Sequence, residues 1–169
     1  MSKAAVTCFA ALVLFGLLAQ AQAPAPPADP NVQATITRAI QEAKALRKVQ
    51  EALSTAVTEG KATRASVAEQ ITQSEKSFQA LREAIDKIDE QYDSLIETHQ
   101  SAVREAWSLA KLFGVLFEQL KESAATPDSP DQRKDLLSDC TSTARRAVML
   151  DETLSRMNPA PRTRRQPAD

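Results

Sequence analysis

The chain has 169 residues, with 21 lysines and arginines against 22 aspartates and glutamates, for a net charge of −1. That length holds one domain with tails, and a balanced charge with basic residues interspersed among acids excludes the electrostatic footprint of a nucleic-acid-binding protein. Only 3 glycines, and few β-branched alternations, argue against a β-sandwich or barrel and predict an all-α chain.

Residues 1–21 carry a lysine near the start, an apolar stretch from Ala4 to Leu18 and then small residues. This is the layout of a secretory signal peptide, and the apolar stretch is shorter than the roughly 20 residues a bilayer-spanning helix needs. Cleavage is expected after Ala21, because cutting after Ala23 would place Pro24 at the scissile bond. The expected destination is the secreted or periplasmic space. The alternative is a membrane tether formed by an uncleaved N-terminal segment, and no transmembrane helix is expected in the mature chain. Cys8 leaves with the signal, so Cys140 stays as the only thiol, either buried as a small hydrophobe or joined in an intermolecular disulfide. Residues 22–29, QAPAPPAD, read as an extended Pro/Ala-rich linker.

The helical domain is expected over residues 30–157. Asp29 followed by Pro30 makes a helix start, and a first helix is predicted to Thr58, with Val32, Ile36, Ala39, Ala43, Leu46, Leu53 and Val57 on one face. Gly60 is the expected stop, and Ser66 with Glu69 the expected capping box of the next helix. From Val67 an apolar seam steps by fours and threes through Ile71, Ser74, Phe78, Leu81, Ile85, Ile88, Tyr92, Leu95, His99, Ala102, Ala106, Leu109, Phe113, Leu116 and Leu120. No proline interrupts it and Gly114 lies off it, which predicts one continuous helix of about 55 to 60 residues, roughly 85 Å long. Ser129, Pro130 and Gln132 then open a helix reaching about Met157, with Leu136, Cys140, Thr143, Ala147, Leu150, Leu154 and Met157 along one side.

These lengths predict a coiled-coil type of fold: a long central helix with two shorter antiparallel helices folded back on it. The alternative turns the central helix near Asp89 to Glu97 and gives an up-down-up-down four-helix bundle. Residues 158–169 are expected to form a disordered basic tail, in which Arg162, Arg164 and Arg165 aid solubility or contact an anionic surface.

The stretch WSLAKLFGVLFEQL, Trp107 to Leu120, has an unusually wide apolar arc. Leu109, Phe113, Leu116 and Leu120 occupy the seam, Leu112 and Phe117 flank it, and Trp107 and Val115 lie further round. A single neighbour covers only a narrow stripe, so this arc calls for two protein neighbours or for lipid. Lys111, Glu118 and Gln119 exclude a membrane span. His99, the only histidine, falls on the seam without a second histidine, and Glu97 lies on another face, so it is read as a register-setting polar residue and not as a metal ligand. Its titration near neutral pH suggests that mild acid loosens the seam.

No nucleophile elbow, Gly-rich phosphate loop or zinc spacing occurs, so neither enzyme activity nor a cofactor is expected. Asn31 and Asn158 lack the following Ser or Thr of a glycosylation site. The function expected is association, as a scaffold, adaptor or chaperone-like module whose partner is a second copy or another protein. The alternative is a carrier that encloses lipid or another apolar small ligand.

Overall fold

The computed structural model describes residues 30–125 and 130–158. The signal reading of residues 1–21 with Cys8, the 22–29 linker, the caps at Asp29 and Ser129, and the tail arginines Arg162, Arg164 and Arg165 all lie outside these residues. Among the described residues there are four α-helices and no strand.

Helix α1 spans Pro30–Thr58. It turns one side inward, burying Val32, Ile36, Ala39, Ala43, Leu46 and Leu53 with Ile40 and Gln50, while Val57 is half-buried against the core. The chain then stops as the glycine demands. Gly60 has φ +67°, its N–H donates to the Val57 carbonyl at 3.1 Å, and the Lys61 N–H donates to Ala56 at 2.9 Å. These two bonds are the paired closure of a Schellman C-cap, in which a residue without Cβ takes the left-handed position.

Helix α2, Arg64–Asp89, begins earlier than the Ser66/Glu69 box would place it. Thr63 is the N-cap, in extended conformation, and its hydroxyl accepts the Ser66 N–H at 3.1 Å while Ser66 Oγ accepts the Thr63 N–H at 2.9 Å. Ser66 therefore sits in the box, but at its far end, because a second hydroxyl can do what Glu or Gln does at that position.

The continuous central helix is not formed. α2 ends at Asp89, a single 3₁₀ turn occupies Tyr92–Ser94, and α3 runs over Glu97–Ala125. Two things hid this turn in the sequence. Glu90, Gln91 and Leu95 have φ of −56°, −109° and −81°, all open to ordinary L residues, so neither Gly nor Pro was required. The segment between the helices is also one heptad long, so the apolar count re-enters α3 in phase. Leu95 within the turn is buried and keeps the seam alive.

Helix α4 spans Pro130–Ser155. The four helices have 29, 26, 29 and 26 residues, so each is about 40 Å long and they pack as a helical bundle. α1 packs on α2 and α4, and α3 packs on α2 and α4. Polar ties cross these faces: Gln50 Nε2 to Ser74 Oγ at 2.8 Å, Lys121 to Glu75 at 3.2 Å, Ser123 to Asp139 at 2.6 Å, and Arg47 to the nearly buried Asp151 at 3.1 Å. Thr143 and Thr153 are buried as well, and the rest of the described core is apolar, with Phe113, Phe117, Leu46, Leu81, Ile85 and Leu150 among its fully buried members.

Candidate functional site

The apolar arc of Trp107–Leu120 is divided by the bundle. α3 turns Leu109, Phe113, Phe117 and Leu120 inward with Ala102, Val103, Ala106 and Ala110. Phe113 lies 4.7 Å from Phe78 of α2, tilted by 49°, and 5.5 Å from Phe117, stacked at 19°, ring centre to ring centre. The Phe78 ring also faces Gly114, where an added Cβ would stand 3.5 Å away, an ordinary contact. Two neighbouring helices thus cover the bulky half of the arc, as the width of the arc required.

The other half stays at the surface. Val115 is 59% exposed, Trp107 42% and Leu112 41%, and Leu116 is half-buried. On the helix, Leu112 and Val115 are three apart and form one short strip with Ser108 and Gln119. Trp107 lies on the other shoulder, where Lys111 Nζ stands 3.4 Å from its ring centre, so its face is already taken by a cation. The eight residues singled out from the sequence are therefore not one patch. Four are core, three are exposed on two shoulders, and Leu116 lies between.

His99 is half-buried in the first turns of α3, and burial lowers its pKa below the ordinary 6.5. Cys140 is fully buried, and desolvation, with a smaller push from the charge of Asp139, raises its thiol to about 12. A thiol so placed is neither reactive nor accessible, and an intermolecular disulfide through it would require the bundle to open.

One feature of this surface was not visible in the sequence. Where α1 ends and α4 begins, a solvent-open cleft of about 440 Å³ is floored by Val57, Val67, Ala124 and Leu136. Among the described residues, the charged side chains lining it are the cations Arg64, Arg133 and Lys134. Leu137, 37% exposed, forms part of its wall. These residues lie on four helices, far apart in the chain, and spacing within one helix does not show that they meet.

Among the described residues no group of His, Cys, Asp and Glu could hold a metal ion, and no helix is long and apolar enough to cross a membrane. The class defined is an all-α helical bundle with an apolar strip on one helix and a cation-rimmed cleft at one end. No family model, no curated protein and no solved structure matches the chain.

Proposed function

We propose that this is a secreted or periplasmic up-down-up-down four-helix bundle that acts by association, with a second copy of the chain meeting it along the outer strip of α3. The observation that carries this reading is the placement of Leu112 and Val115 on α3, apolar and exposed at adjacent positions where a solvated helix face has no use for them. Set antiparallel about a two-fold axis near Gly114, two copies bring Leu112 against the second copy's Val115 and Lys111 against the second copy's Glu118. Opposite charges then flank an apolar centre, the pattern that specifies helix pairing.

The magnitude makes this a transient contact. Covering the exposed parts of Leu112 and Val115 contributes about 4 kcal/mol for the pair, which association costs of similar size offset, so a dissociation constant on the order of 1 mM needs about as much again from the surrounding helix surface and the flanking charge pairs. Sedimentation equilibrium up to millimolar chain should show reversible mass increase. Leu112→Glu with Val115→Glu should abolish it, and Lys111→Glu should weaken it until Glu118→Lys restores the pair. A mass that stays monomeric throughout refutes the reading. A carrier that encloses its ligand within the helices finds less support, since the interior is filled by Phe78, Phe113 and Phe117.

A further inference from the structure

We infer that the cleft at the α1–α2 and α3–α4 end of the bundle is a binding site for an amphiphilic anion, an alkyl carboxylate of fatty-acid type. Its volume of about 440 Å³ falls within the range of roughly 300 to 1,000 Å³ that holds small ligands. Its floor and its rim differ in kind. Val57, Val67, Ala124 and Leu136 are supplied by all four helices, each side chain packed against the core below. Among the described residues the charged rim is cationic, so a ligand with an apolar tail and an anionic head matches the cleft end for end.

The head has partners ready to exchange. Lys134 Nζ stands 3.6 Å from Asp131, but the two side chains are 80% and 92% exposed, so this pair is worth little and yields readily to another carboxylate. Arg64 is exposed in the first turn of α2, beside the cleft mouth. The exposed Leu137 on the wall gains cover from the tail of such a ligand, as it does not from any described part of the chain.

The chain's own C-terminal residues suit the site poorly. Residues 159–169 carry Arg162, Arg164 and Arg165, which the cationic rim repels. The site is independent of the α3 strip, so either proposal can fail alone.

The test titrates the full chain with dodecanoate below its micellar concentration, following heat and amide shifts, with acetate and neutral dodecyl maltoside as comparison probes. Expected is saturable binding of dodecanoate that shifts the amides of Val57, Val67, Ala124 and Leu136, with acetate and the maltoside at least tenfold weaker. Arg64→Glu with Lys134→Glu should weaken dodecanoate at least tenfold while the thermal melt stays where it was. These two side chains are exposed, so the variant folds as the parent does. Equal binding by the variant, equal binding of the neutral surfactant, shifts centred on Leu112 and Val115, or no saturation would each overturn the assignment.

Discussion

Replacing Phe113 by alanine tests which side of α3 faces the core. The ring has no solvent exposure and touches Phe78 and Phe117 with centroid separations of 4.7 and 5.5 Å. Truncating a buried Phe costs about 3 to 5 kcal/mol, from lost transfer energy and from the cavity left behind. Collapse of Phe78 and Phe117 into the space would lower that figure, and about 4 kcal/mol, the middle of the range, is expected. Val115→Ala, two residues along, makes the contrast. Val115 is 59% exposed and alanine is the better helix former, so this change should be neutral or stabilising by a few tenths of a kcal/mol. Urea denaturation followed by far-ultraviolet circular dichroism reads both. A domain of this size has a total stability of about 5 to 15 kcal/mol, so Phe113→Ala threatens folding itself. Phe113→Leu, expected to cost about 1 kcal/mol, keeps the comparison alive if it does. If Val115→Ala cost more than Phe113→Ala or Phe113→Leu, the helix would face the other way and the strip assigned to association would be core.

Three further outcomes follow from individual side chains. Burial lowers the His99 pKa, so the unfolded chain binds the proton more readily, and stability should be flat above about pH 6.5 and fall as pH drops through the folded-state value. Denaturation midpoints measured against pH should show that decline, and His99→Gln should remove its share of it. In a Cys8→Ser chain, Cys140, with its thiol raised to about 12, should ignore Ellman's reagent in the native bundle and react fully after unfolding, and non-reducing electrophoresis should show no dimer from native protein. Ser74→Ala should cost about 1 to 3 kcal/mol by leaving the buried Gln50 amide without a partner, while Gln50→Leu with Ser74→Ala should recover most of that in a chemical melt.

The four helical bodies could be read largely from spacing, because an amphipathic helix states its inner face locally. The buried positions of α1 include six of the seven expected, and Val57 is the half-buried seventh. What spacing cannot state is how many neighbours a face will meet. α3 buries Val103, Ala110 and Phe117 beside the expected seam, since two flanking helices reach further round it than one coiled-coil partner would. Gln50 falls outside the apolar spacing of α1 for a similar reason. Its burial depends on Ser74 standing 2.8 Å away on α2, a relation between helices that neither helix reveals alone.

The same reasoning explains why the heptad misled at Asp89. A repeat of seven is indifferent to what its residues do for one period, provided the next period starts in phase. In the turn, Tyr92 keeps partial cover, Arg104 stacks 4.7 Å from its ring centre, and Gln100 Nε2 donates to the Tyr92 carbonyl at 3.1 Å. The turn is therefore held by residues of the next helix and not by a breaker of its own. Long-range polar contacts of this kind are what a sequence read as one helix cannot contain, since at 1.5 Å per residue Tyr92 and Arg104 would stand about 18 Å apart. Their contact is the evidence that the chain reverses, and disrupting it with Arg104→Ala should loosen the Tyr92–Ser94 turn without touching the core.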